Sequence, residues 1–115
     1  MRISELAKAV DLPVDTIRFY EKRGLLMEGR HFVRRENKYR DYTEQAIESL
    51  ELIKRGQAAG LTLAELGQSL QAWENDTLTV KQKRDFFQRK IAEIDARIAE
   101  LAGMKKYLEK KMKRL

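Results

Sequence analysis

Ile3, Leu6, Ala7 and Val10 recur at three- and four-residue steps, which predicts a short amphipathic helix with Ser4 as its N-cap. Asp11-Leu12-Pro13 ends it. A second helix is expected from about Val14 to Arg23, with Gly24 as its C-terminal stop, and the pair is a helix-turn-helix candidate. At about 100° per residue, one face of this second helix gathers Val14, Ile17, Tyr20, Glu21 and Gly24. The other gathers Asp15, Thr16, Arg18, Phe19, Lys22 and Arg23.

Residues 30–42 alternate loosely around a polar Glu36-Asn37-Lys38 centre and are rich in Phe, Val and Tyr, a hairpin pattern. Thr43 is the expected N-cap of a third helix that carries Ala46, Ile47, Leu50 and Ile53 inward and closes near Gly60. Thr62 and Glu65 form a capping box for a fourth, whose Leu63, Leu66, Leu70 and Trp73 read as a buried stripe. Beyond a polar connection around Asn75 to Thr79, one long helix is expected. Phe87, Ile91, Ile94, Ile98 and Leu101, then Leu108, Met112 and Leu115, follow a 4-3-4-3 spacing interrupted only at Lys105, which is a heptad seam.

A helix over residues 79–115 would extend about 55 Å, well beyond the roughly 30 Å of a small domain. Each seam residue left in water forgoes roughly 1.5 to 3 kcal/mol of burial. Pairing with a second copy is therefore favoured over a lone protruding helix, the alternative being a helix folded back on residues 1–75. The expected architecture is mainly α: a winged helix-turn-helix head over residues 1–75 and a dimerisation helix over residues 76–115.

Charge sharpens this picture. The net charge is +6, but residues 16–40 carry eight Lys/Arg against three Glu, residues 41–78 carry two against seven acids, and residues 79–115 carry twelve against five. Two basic regions flank an acidic one, which points to a polyanionic partner. With no cysteine and a single histidine, His31, the chain offers no disulfide, thiol chemistry or thiolate metal site, and no metal or cofactor is expected. No signal-peptide core or membrane-spanning stretch is evident, so a cytoplasmic location is expected.

A basic helix-turn-helix, an Arg-rich hairpin and a dimerising helix are the parts of a two-fold symmetric DNA-binding protein. On helix two, Thr16, Arg18 and Lys22 can reach phosphates and base edges, and Arg18 can donate two bonds to a guanine. Phe19, an aromatic on a charged face, fits contact with sugars or a thymine methyl, or else packing against the hairpin. The Tyr20 ring can pack while its hydroxyl reaches a phosphate. Arg34, Arg35, Lys38 and Arg40 concentrate cations on the hairpin, as a wing gripping the backbone requires, or as a merely solvated loop would also show. Glu21 faces inward and is expected to pair with Arg40, fixing the wing.

The blocks Ile3-Ser4-Glu5-Leu6-Ala7, Asp15-Thr16-Ile17-Arg18-Phe19-Tyr20-Glu21-Lys22 with Gly24-Leu25, Tyr39-Arg40-Asp41-Tyr42-Thr43, and Ala58 with Gly60-Leu61-Thr62-Leu63 resemble the MerR family of bacterial transcription regulators. The resemblance implies a homodimer joined by an antiparallel coiled coil through Phe87, Ile91, Ile94, Ile98, Leu101, Leu108 and Met112. It also implies an inverted-repeat promoter with an overlong spacer, which the dimer bends and untwists for RNA polymerase. By matching position, Arg18 and Tyr20 would contact DNA from helix two, and Tyr39 and Arg40 from the wing.

Three features depart from the family pattern. The stretch between Gly24 and Tyr39 is a few residues longer than usual, and Lys38 stands where the wing turn commonly has glycine. Pro13 occupies the N-cap position of helix two. These residues include none of the cysteines that metal-sensing members use, and no drug-binding C-terminal domain is expected. The effector stays open between a small apolar ligand near Trp73, Phe86, Phe87 and a partner's Tyr107, and no effector at all. Two other readings remain: an architectural, excisionase-like DNA-binding protein, and a coiled-coil adaptor. An enzyme is disfavoured, because no nucleophile has a base nearby and no glycine-rich phosphate loop exists. The Lys105–Arg114 tail, with six cations, is expected to lie near the acidic 41–78 segment of a partner copy.

Overall fold

A computed structural model describes all residues, Met1–Leu115. The elements are α1 (Ile3–Val10), α2 (Val14–Lys22), β1 (Phe32–Arg34), β2 (Arg40–Tyr42), α3 (Glu44–Ala58), α4 (Leu63–Glu74) and α5 (Val80–Met112). The chain divides into two compact units, Met1–Gln71 and Ala72–Leu115, so the division falls inside α4. No helix is long and apolar enough to cross a membrane.

In the first unit Leu6, Val10, Ile17, Tyr20, Leu25, Leu26, Phe32, Tyr42, Ala46, Leu50, Ile53, Leu66 and Leu70 form one buried cluster. The apolar stripes of four helices and one face of the hairpin thus meet in a single core, the arrangement that removes most apolar area from water. Gly56 permits the α3–α4 approach, since a Cβ there would fall 2.2 Å from Leu66 Cδ2. Gly24 (φ 80) turns the chain out of α2 in a left-handed conformation that glycine adopts without strain.

Helix ends show where local signals were overridden. α1 starts two residues earlier than Ser4 suggests: Arg2 is the N-cap, and the Glu5 carboxylate reaches back to accept from its amide at 3.4 Å. Thr43 does stand at the N-cap of α3, but its hydroxyl donates to the Arg30 carbonyl at 2.7 Å instead of capping. A tertiary acceptor has outcompeted the local one. The Thr62–Glu65 box is present, with Glu65 N donating to Thr62 Oγ1 at 3.1 Å and the Glu65 carboxylate accepting from Thr62 N at 3.2 Å. At the end of α1, Lys54 of α3 donates to the Val10 carbonyl at 2.8 Å, satisfying a carbonyl that the helix cannot.

In the second unit α5 opens on a reciprocal Thr79–Gln82 capping box and runs 33 residues, about 50 Å. It buries no side chain. Ile91, Ile94, Ile98, Leu101, Leu108 and Met112 are all exposed. The stripe expected on α4 is corrected at one position: Leu66 and Leu70 are buried, whereas Trp73 is 65% exposed. Its indole meets the Phe87 ring edge-on at 6.1 Å instead of entering the core, and Lys83 donates to the Trp73 carbonyl at 2.7 Å.

Candidate nucleic-acid interface

The α2 face predicted to point outward does so. Arg18, Phe19 and Lys22 are exposed and Thr16 is half-buried, while Ile17 and Tyr20 lie in the core. Phe19 is 46% exposed, with the Arg23 guanidinium 5.5 Å from its ring centre. An aromatic ring held in water on a cationic face is set for contact with another molecule.

Beside α2 the hairpin pairs Phe32 with Tyr42, Val33 with Asp41 and Arg34 with Arg40. Its tip closes through Lys38 N donating to the Arg35 carbonyl at 2.8 Å, then Arg35 N to the Tyr39 carbonyl at 3.0 Å. Lys38 takes φ 60, the left-handed position that ends such turns and that favours glycine.

What holds the wing is a set of ion pairs around Glu21 and Asp41. Glu21, one-tenth exposed, accepts from the Tyr42 hydroxyl at 2.8 Å and from Arg40 Nη1 at 3.1 Å. The expected Glu21–Arg40 pair is therefore present. Arg40 also lies over the Phe32 ring at 5.0 Å, and its Nε is buried without a partner. Burial, then the adjacent Glu21, push the Tyr42 phenol up to about 12. Asp41 accepts from the N-terminal ammonium at 2.5 Å and from Arg35 at 2.6 Å. The ammonium, then Arg35, hold the Asp41 carboxyl below the usual aspartate range.

These anchors change how the predicted cations stand. Arg34 pairs loosely with Glu28 at 3.5 Å, Arg35 is bound to Asp41, and Arg40 is taken by Glu21. Lys38 is exposed at the tip, and Tyr39 is half-buried beneath the Arg2 guanidinium, 4.1 Å from its ring centre. Arg2, Arg18, Lys38, Tyr39 and Arg40 nevertheless converge, with Ile3 and Tyr42, on one open cavity of about 260 Å³. Four cations and a phenol around one recess make a seat for an anion.

One residue departs from its expected role. Tyr20 is 5% exposed and its hydroxyl donates to Gln57 Oε1, so it does not turn toward an external phosphate. The core claims the whole side chain because α3 offers an acceptor within reach. Sequence reasoning also missed His31, which is fully buried: its Nδ1 accepts from Met27 N at 2.8 Å and its Nε2 stands 3.0 Å from Ser49 Oγ. A ring that accepts at Nδ1 carries its hydrogen on Nε2, so His31 ties the α2–β1 connection to α3. The only available signal was that the chain's single histidine stands next to Phe32 and Val33.

Residues 1–73 match the family described as MerR HTH family regulatory protein, and residues 47–111 the one described as MerR, DNA binding. The chain belongs to the MerR family. It is a DNA-binding transcriptional regulator, as its relatives are. It is 34% identical over 110 residues to the HTH-type transcriptional regulator ZntR of Escherichia coli K12, covering 95% of this chain and 76% of that one. It is 36% identical over 107 residues to the mercuric resistance operon regulatory protein of Bacillus cereus, covering 93% and 79%. Among solved structures, the regulator PbrR691 of Ralstonia metallidurans CH34, in complex with lead(II), superposes with TM-score 0.64 at 34% identity over 94% of this chain and 82% of that one. HiNmlR, a MerR family regulator lacking the sensor domain and bound to promoter DNA, shares the fold, with TM-score 0.70 at 23% identity over 96% and 86%. The wing, the outward face of α2 and the long α5 are thus this chain's version of a MerR-type regulator.

Proposed function

We propose that this MerR family chain acts as a homodimer whose two winged heads bind an inverted repeat in double-stranded promoter DNA and distort it for RNA polymerase. The observation that carries the reading is the convergence of Arg2, Arg18, Lys38, Tyr39 and Arg40 on one recess between α2 and the wing. In this reading α2 enters the major groove with Thr16, Arg18, Phe19 and Lys22, and the wing grips the adjacent backbone with Arg34, Arg35, Lys38 and Tyr39. Arg40 acts mainly by holding the wing through Glu21. Distorting DNA costs of order 1–10 kcal/mol, so the grip must be firm at both ends of the site. Wing anchors at Glu21 and Asp41 supply the rigidity that this requires. The unburied apolar strip of α5 supports the dimer, since an isolated helix would leave that strip in water.

No thiolate site for a soft metal can be built from these residues, which include no cysteine. The test selects genomic fragments on the purified protein, then measures affinity for the recovered site across salt concentrations. Arg18→Ala should lower affinity and reduce the salt slope by about one phosphate contact. Equal affinity for all fragments would point instead to an architectural DNA-binding protein, and salt-independent or absent binding to an adaptor.

A further inference from the structure

Arg2 is the N-cap of α1, and its neighbour ties it to the wing: the Met1 carbonyl accepts from Tyr42 N of β2 at 2.7 Å. From that fixed point the exposed Arg2 side chain reaches the Tyr39 ring, its guanidinium carbon 4.1 Å from the ring centre. A cation laid over an aromatic face is oriented by the ring's quadrupole and keeps its N–H donors for other partners. Both residues line the recess with Arg18, Lys38 and Arg40. These cations differ in what already neutralises them. Arg40 gives Nη1 to Glu21 at 3.1 Å, and outside the recess Arg34 and Arg35 are paired with Glu28 and Asp41. No carboxylate pairs with Arg2, Arg18 or Lys38. The start of α1, the outer face of α2 and the wing tip thus each bring one uncompensated cation to the same place.

We propose that Arg2 is a further DNA-contacting residue, which holds one backbone phosphate per head in this recess together with Lys38, with the Tyr39 ring as its support. The proposal rests on the docking of α2 and the wing put forward above and adds a contact from α1. Covering Tyr39 is a task that an apolar side chain would perform as well. A third unpaired cation in a recess that already holds two is unfavourable in the free protein, because like charges repel, and an anion between them reverses the sign of that interaction. The anion offered by a duplex that runs from the groove entered by α2 to the wing is a phosphodiester. Its two free oxygens suit a guanidinium, which presents a planar fork of donors, better than an ammonium on a flexible stem. A phosphate seated there also bridges the start of α1 to the wing tip, so the contact that grips the duplex braces the wing as well.

The probes are the duplex recovered by genomic selection and a random-sequence duplex of the same length, each titrated with full-length protein across salt concentrations. Arg2→Gln should lower the slope of log affinity against log salt by about 0.9 for each head engaged, which amounts to about eightfold in affinity per head at about 0.1 M salt. Arg2→Lys keeps the charge, so the slope should hold while affinity falls by about threefold or less. Replacing single phosphates of the selected duplex by neutral methylphosphonate then locates the contact. One position in each half-site should weaken wild-type binding and cost Arg2→Gln nothing. Unchanged affinity and slope in Arg2→Gln would make the residue a cover for Tyr39 and overturn the proposal. It falls equally if affinity drops but every methylphosphonate costs the variant what it costs the wild type, since Arg2 then acts through Tyr39 or as a distant charge. Both results leave the docking of α2 and the wing standing. Wild-type protein that binds neither duplex overturns both readings. Arg2 is exposed, and urea unfolding of each variant checks that its head is folded.

Discussion

Replacing Glu21 by glutamine tests whether the wing is held by charge. Glu21 accepts from Tyr42 at 2.8 Å and Arg40 at 3.1 Å, with only a tenth of its side chain exposed. Glutamine keeps an acceptor for the Tyr42 hydroxyl but offers a neutral amide to the guanidinium. A hydrogen bond to a charged group is worth about 1.5–3 kcal/mol. Arg40 keeps a third of its exposure, so water recovers part of the loss, and about 1.5 kcal/mol is expected. Glu21→Ala strips both partners of their acceptor and should cost about 2–3 kcal/mol. With a urea slope of about 1–1.5 kcal/mol/M for a unit of this size, the glutamine variant's midpoint should fall by about 1 M. A double-mutant cycle with Arg40→Ala isolates the pair, and its coupling should be about 1–1.5 kcal/mol. Coupling within about 0.3 kcal/mol of zero would refute the reasoning, because the two side chains would then contribute independently. The same Arg40→Ala variant should lower DNA affinity through wing geometry with little change in salt slope. A slope reduced by about one phosphate would instead show that Arg40 grips the backbone directly.

Four further outcomes follow from the geometry. Tyr42 titrates near 12 in the folded chain against about 10 when unfolded, so its contribution of about 2 kcal/mol is complete below pH 10 and is lost as pH rises toward 12; alkaline denaturation of Tyr42→Phe should lack that limb. Lys38→Gly relieves the φ of 60 and should change stability by no more than about 1 kcal/mol in the favourable direction, while weakening DNA binding and reducing the salt slope by about one contact; unchanged affinity would assign the lysine to solvent. Gly56→Ala forces a methyl to within 2.2 Å of Leu66 Cδ2 and should cost about 1–3 kcal/mol in chemical denaturation, partly recovered by Leu66→Val. Tyr20→Phe should lose about 1 kcal/mol of stability through the Gln57 bond yet bind DNA as before; a selective loss of affinity would return Tyr20 to the interface.

Much of this molecule is visible in its residues alone. Helical periodicity marked α1 to α5, because burying an apolar stripe imposes the 3.6-residue repeat on sequence and structure alike. The polar turn between runs of Phe, Val and Tyr marked the hairpin, and inward placement at a helical step marked Glu21 as the partner of a wing arginine. The exposed face of α2, with Arg18, Phe19 and Lys22, followed from the same geometry. Tertiary structure decided whatever depends on residues distant in the chain. Gln57 claimed the Tyr20 hydroxyl, Arg30 the Thr43 hydroxyl and Ser49 the His31 ring. In each case a polar atom has several acceptors that would satisfy it equally well locally. Only the packing of the core, which brings one of them within 3 Å and excludes water from the others, makes the choice.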